Sequence, residues 1–153
     1  MQEKRGTDLN WSDTRPGLSI AELESVGRKC GIELPESYKT FLQLRNGGRP
    51  SRRRFRTSDG QPCSAVKRFL AVYEGEGSLE DYVNTFAGRI PDYCFPIAND
   101  AFGNLVLMGF KGNQRGKIFF WDHEEDDDFE PEENLLVESL DLFLTGLEDD
   151  DVE

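Results

Sequence analysis

Apolar residues recur at helical spacing early in this chain and gather into short runs later. Ile20, Leu23 and Val26 follow Ser19, and Glu22 stands three residues after that serine. This pattern predicts an amphipathic helix opened by a capping box, with Gly31 as its stop. Tyr38, Phe41, Leu42 and Leu44 give a second helix. It starts near Pro35, a residue suited to a first turn, and ends at Asn46-Gly47-Gly48, which tolerate positive φ. The helices over residues 19–30 and 35–45 are expected to pack together near one edge of a sheet, with Leu23, Val26, Tyr38, Phe41 and Leu42 inside.

Residues 69–73 (FLAVY) read as a strand, and Ser78 caps a short helix carrying Leu79, Tyr82, Val83 and Phe86. Pro91 and Pro96 frame a stretch read as an irregular link. Residues 105–110 and 118–121 are apolar, and the Gly/Asn-containing segment between them predicts an antiparallel hairpin of 105–110 with 117–121. Residues 135–137 suggest a short strand. Ser139 then caps a last helix with Leu140, Phe143, Leu144 and Leu147. Helices, then a sheet with a hairpin, then a helix do not alternate as βαβα. The reading is an α+β domain with a mostly antiparallel sheet.

Composition sets the bounds. A chain of 153 residues with 37% hydrophobic and 11% aromatic content can bury a real core in one domain. The expected division is a flexible lead-in over 1–17, which can dock through Trp11, a domain over 18–147 and an acidic tail over 148–153. The net charge of −12 opposes general affinity for nucleic acid or anionic membrane. It is unevenly spread. Residues 1–70 hold 14 Lys/Arg against 8 Asp/Glu, a balance of +6, and residues 71–153 hold 4 against 22, a balance of −18. Cys30, Cys63 and Cys94 are odd in number and form no C-x-x-C pair, which speaks against disulfides and zinc and for a reducing compartment. No secretory signal is apparent, and no run approaches the ~18 apolar residues of a membrane span. A cytoplasmic protein is expected.

The most concentrated chemistry lies at residues 121–133, where nine of thirteen residues are carboxylates directly after an apolar strand. Such a run repels itself, stays solvated and presents a strong negative field from a fixed point. Asp122, Glu124, Glu125, Asp126, Asp127, Asp128 and Glu130 are therefore candidates for contact with a basic partner, with Trp121 or Phe129 as an apolar anchor. Phe119 and Trp121 share one face of their strand and Phe120 the other; one face is expected in the core and the other half-exposed. The alternative is a solvated loop that only aids solubility. A calcium loop does not fit, because an EF-hand counted from Asp122 needs Gly at position six, where Asp127 stands.

Several motifs occur in order. They are Leu34-Pro35-x-x-Tyr38-x-x-Phe41-Leu42, Asn46-Gly47-Gly48, Phe95-Pro96-Ile97-Ala98-Asn99-Asp100-x-x-Gly103-Asn104, and Gly116-Lys117-Ile118-x-Phe120-Trp121-Asp122-His123-Glu124. Each is weak alone. The ordered set resembles the SUKH superfamily, of the Smi/Knr cell-wall-assembly-regulator type, over roughly residues 18–147. The resemblance implies a central curved antiparallel sheet with helices packed around it. It gives Leu34, Pro35, Tyr38, Phe41, Gly47, Gly48, Pro96, Asp100, Gly103 and Asn104 structural roles. Bacterial members are regarded as immunity proteins that neutralise toxins, often nucleases, of polymorphic toxin systems. Fungal members regulate cell-wall synthesis through protein contacts. Neither class is known for a catalytic residue set. The arginine-rich residues 49–56 fall in a segment that varies in the family, which gives them no role.

Other candidates carry less. His123 is the single histidine and is read as a strand-end imidazole hydrogen-bonded to a neighbouring acid. Its use as a general base would need a matched nucleophile, and no G-x-S-x-G is present. Gly103, Gly112 and Gly116 lack phosphate-loop spacing and read as turn residues. Asp100 is expected to close the turn before the hairpin through backbone N–H groups. The cluster Arg52-Arg53-Arg54 with Arg56 reads as a solvated basic loop or as a counterpart to the acidic half. The expectation is a binding protein, an immunity factor covering a basic toxin domain, with no catalytic residues, metal or cofactor. A regulatory or scaffold protein of the cell-wall type is the alternative.

Overall fold

The computed structural model describes residues 9–149. Nine short strands and five α-helices form an α+β fold among them. Strand β1 (Trp11–Ser12) leads to α1 (Ile20–Cys30) and α2 (Glu36–Leu44), then to β2 (Arg49–Pro50), β3 (Arg54–Arg56), β4 (Pro62–Ala65) and β5 (Arg68–Phe69). Helix α3 (Leu79–Thr85) precedes β6 (Cys94–Asn99), β7 (Leu105–Gly109) and β8 (Ile118–Trp121). The chain then runs through α4 (Pro131–Asn134), β9 (Leu135–Val137) and α5 (Leu140–Thr145).

The helix signals act as their sequence predicts. Ser19 Oγ accepts the Glu22 N–H at 3.1 Å while Glu22 Oε1 accepts the Ser19 N–H at 2.8 Å. Ser78 and Ser139 accept the Asp81 and Leu142 N–H groups in the same way. Each cap satisfies an N–H that the helix itself leaves unpaired. Leu23, Val26, Tyr38, Phe41 and Leu42 are all buried.

The central sheet has five antiparallel strands in the order β5-β6-β7-β8-β9 and stays open. The hairpin β7–β8 pairs Leu105 with Trp121 and Met108 with Ile118. Both faces of the sheet are covered. Val106, Met108, Ile118, Phe95 and Ile97 join the main core with α1, α2 and α5. Leu105, Leu107, Phe119, Trp121 and Cys94 form a second core, packed by Tyr82, Phe86 and Ile90. Full burial of each such aliphatic or aromatic side chain stabilises the fold by roughly 1.5–3 kcal/mol.

Three readings change. The link expected around Pro96 is β6, a strand with neighbours on both sides. Its register against β7 shifts between Pro96 and Ala98, and such an irregularity is where a strand tolerates a residue without an N–H. The basic stretch contains a two-stranded ribbon, β3–β4, rather than loop alone. The strand expected over 69–73 ends at Phe69. Beyond it Asn46 takes the part of a strand, accepting the Val72 N–H at 2.7 Å and donating to the Val72 carbonyl at 2.9 Å.

Residues 9–17 of the expected lead-in lie on the fold. Leu9 is buried, and the Trp11 ring stands 5.7 Å from Phe41 and 5.6 Å from Phe69. The Arg45 guanidinium covers the Trp11 ring at 4.6 Å. Residues 1–8 of the lead-in and 150–153 of the acidic tail lie outside the described residues. Glu148 exchanges backbone hydrogen bonds with Arg54 and holds Arg56 through its carboxylate at 2.9 Å. No helix among the described residues is long and apolar enough to cross a membrane.

Candidate functional site

One buried carboxylate organises the edge of the sheet where β6 turns into β7. Asp100 is 5% exposed. Its Oδ1 accepts the N–H groups of Phe102 at 2.9 Å and Asn104 at 2.8 Å. Its Oδ2 accepts Ser64 Oγ–H at 2.7 Å and Asn104 Nδ2–H at 3.0 Å. That last bond fixes the Asn104 amide, so Asn104 Oδ1 faces His123. It accepts the His123 backbone N–H at 3.1 Å and lies 2.8 Å from Nδ1. A carbonyl oxygen only accepts, so Nδ1 carries a proton. The His123 Nε2 stands 4.0 Å from Glu124, so the ring bonds the Asn104 amide rather than the neighbouring acid expected from the sequence. Gly103, at φ +91, lets the ring sit close, because a Cβ there would lie 3.2 Å from the imidazole. Asp100, Gly103 and Asn104 thus tie the β6–β7 turn to the start of the acidic run.

The run itself is a loop held by turns along its backbone. The Glu124 N–H donates to Asp122 Oδ1 at 2.9 Å, and the Glu125 and Asp128 N–H groups close successive turns at 3.0 Å. Its far end is held by Asn134, which accepts from the Glu130 N–H and donates to the Phe120 carbonyl, both at 3.0 Å. Glu124, Glu125, Asp127, Asp128 and Glu130 are exposed and Asp122 is half-buried. The Asp126 side chain lies outside the described set.

Neither expected anchor projects freely. Trp121 is fully buried, edge-on to Phe86 at 5.5 Å and beneath the Arg89 guanidinium at 5.2 Å. This corrects Trp121 as an anchor, because α3 and the segment after it cover its face; Phe120, on the other face of the strand, is the half-buried aromatic. Phe129 is half-buried with its ring 5.8 Å from Phe119, so it pins the middle of the loop inward. The side chain that does project is Phe102, 74% exposed at the β6–β7 turn. The sequence reading passed over it as an unspecified position between Asp100 and Gly103. A large aromatic in a turn between two apolar strands was the available signal.

The remaining motif residues build the frame. Leu34, Tyr38 and Phe41 are buried, with Tyr38 edge-on to Phe95 at 5.2 Å. Pro35 precedes the first turn of α2 as its cap residue. At Gly47 a Cβ would lie 2.7 Å from the Ala71 Cβ, and Gly48, at φ +126, exchanges backbone hydrogen bonds with Phe69. Pro96 is buried inside β6.

A cleft of about 500 Å³ opens beside the acidic loop. Its walls come from β3 (Arg54, Phe55, Arg56), β4 (Pro62–Ala65), the β6–β7 turn (Phe102, Asn104) and the end of β8 (Phe120, Asp122), with Glu148. Burial, followed by the charges of Asp100 and Asp122, pushes the Cys63 thiol up to about 11. Such a thiol is a poor nucleophile at neutral pH. Cys30 is likewise pushed up to about 11 and Cys94 to about 12, burial being the larger cause for each. Among the described residues no three His, Cys, Asp or Glu side chains are grouped to hold a metal ion.

The comparisons with known proteins bear on this frame. The model of the family SUKH_6, described as SMI1-KNR4 cell-wall, matches residues 20–143. The chain belongs to this family. This SUKH protein is also 27% identical over 159 residues to the SPbeta prophage-derived uncharacterized protein YokK of Bacillus subtilis (strain 168). That alignment covers 90% of this chain and 79% of the relative. The SUKH family includes immunity proteins and Smi1/Knr4-like proteins. The matched span runs from α1 into α5 and takes in both the Asp100 frame and the acidic loop.

Proposed function

We propose that this SUKH protein is an immunity factor that binds and neutralises a toxin with a basic active face, such as a nuclease domain. The carrying observation is the acidic loop after β8, tied down at Asp122, Phe129 and Asn134 while the carboxylates of Glu124, Glu125, Asp127, Asp128 and Glu130 are exposed. Such a cluster of negative charge costs self-repulsion, which a surface tolerates when the field serves recognition. A nuclease attracts phosphate, so its active face is positive. An acidic protein occupies that face by imitating the substrate's charge. The family's immunity members and the prophage-derived relative support the same direction.

The experiment is co-expression with the C-terminal domain of a secreted protein encoded beside this gene. Growth should be arrested by that domain alone and restored by this chain, with a stable complex on size exclusion. Growth arrest that persists at matched expression, with no complex, contradicts the reading and favours a regulatory protein of the cell-wall type.

A further inference from the structure

The cleft beside the acidic loop is lined by residues of both charges. At the β3 wall, Arg56 is already engaged, with its Nε 2.9 Å and Nη2 3.3 Å from the two Glu148 carboxylate oxygens, and Arg54 lies on the same strand. Phe102, Asn104 and Asp122, from the β6–β7 turn and the end of β8, also line it. Asp122 is half-buried, spends Oδ1 on the Glu124 N–H, and has no cation paired with it among the described residues. Bonded to Asn104 is Asp100, a buried carboxylate with four hydrogen-bond donors and no paired cation among the described residues. A full negative charge in that place projects its field into the cleft. Phe102 lines the same cleft as Asp122, 74% exposed, on a backbone whose N–H the Asp100 carboxylate holds.

We infer that the Phe102–Asp122 part of this cleft receives an arginine side chain presented by a basic protein partner. The guanidinium lies against the Phe102 ring and pairs with the Asp122 carboxylate. Arginine fits better than lysine because its planar cation stacks on an aromatic face and still donates along its edge, whereas an ammonium is a compact, strongly hydrated point charge. The volume is within the roughly 300–1,000 Å³ of built ligand pockets, enough for one long side chain and its flanking backbone. The exposed carboxylates of residues 124–130 then attract the partner, and this seat sets its register. The inference rests on reading the acidic edge as a partner surface, but it is tested without any toxin.

The test is an NMR titration of the full chain with the blocked peptide acetyl-Gly-Arg-Gly-amide and with its citrulline counterpart, which keeps the shape and removes the charge. The expected result is a saturable shift of the amides of residues 63–65, 102–104 and 122 with the arginine peptide and a weaker one with citrulline. Phe102→Ala and Asp122→Asn should each weaken the arginine response by about two- to fivefold, the size of an exposed cation–π or ion-pair contact. Both variants should keep the wild-type melting temperature, since Phe102 is exposed and Asn retains the Oδ1 acceptor for Glu124. No saturation, an equal response to citrulline, or an arginine response unchanged in both variants overturns the seat. An arginine-specific response in a chain that fails to rescue growth would keep the seat and remove the toxin reading.

Discussion

Asp100 is the residue on which the site depends most. Its carboxylate gathers four donors from β4, the turn and Asn104, and Asn104 passes that order on to His123 at the head of the acidic loop. Hydrogen bonds to a charged group contribute more than neutral ones, and a buried donor left unpaired costs about 1–3 kcal/mol. Asp100→Ala should therefore lower stability by about 3 kcal/mol, read from the urea midpoint. Gly103→Ala forces an L side chain to φ +91 and into the His123 ring. It should cost about 1–2 kcal/mol and move the His123 imidazole resonances in NMR spectra. A Gly103→Ala protein with wild-type stability and unshifted His123 signals would mean that the close approach does not matter. The sequence marked Asp100 as a turn-closing residue, which is what it does. It gave no sign that Ser64, 36 residues earlier, supplies one of the donors.

Among the elements, β8 packs into both cores and leads directly into the acidic loop. Ile118 and Phe120 face the main core and Phe119 and Trp121 the second one. Trp121→Ala should cost about 3–5 kcal/mol, the usual loss for a large aromatic removed from a core. Phe129→Ala should cost less, about 1–2 kcal/mol, because that ring is half-buried, and should raise hydrogen exchange across residues 124–130. Equal losses at the two positions would contradict this division between core and pin. The hairpin β7–β8 and the helix caps were legible because their signals are local: apolar runs around a turn, and a serine three residues before its bonding partner. β6 was not, since Pro96 argues against a strand unless the register shift is known. Burial of Trp121 was not either, because period two says only that Phe119 and Trp121 share a face. What covers that face, Phe86 under Arg89, arrives from more than thirty residues away.

At the scale of the whole molecule, burial and charge give separate pH and salt signatures. Unfolded thiols lose their protons near the ordinary 9.0, while folded Cys94 holds its proton up to about 12. Burial also raises the Tyr38 phenol. The unfolded chain therefore sheds protons first, so stability is flat below about pH 8 and falls as pH rises from 9 toward 12. The urea midpoint should drop across that window, and less steeply in Cys94→Ala. An unchanged slope in the variant would show that Cys94 does not contribute. On the proposed immunity reading, the carboxylates of the acidic loop act instead on encounter. Concentrated charge raises association from roughly 10⁵–10⁶ toward 10⁸–10⁹ M⁻¹s⁻¹ at low salt, while exposed pairs add little to the bound state. The central claim is thus tested most directly by surface-plasmon kinetics against the cognate basic partner across salt, for the wild type and for Asp126→Asn/Asp127→Asn/Asp128→Asn. The account predicts an on-rate that falls steeply as the screening length shrinks from about 8 to about 3 Å. It also predicts an on-rate that is lower and less salt-sensitive in the triple variant, with little change in off-rate. An on-rate indifferent to both salt and the triple substitution would contradict it and leave the run a solvated loop.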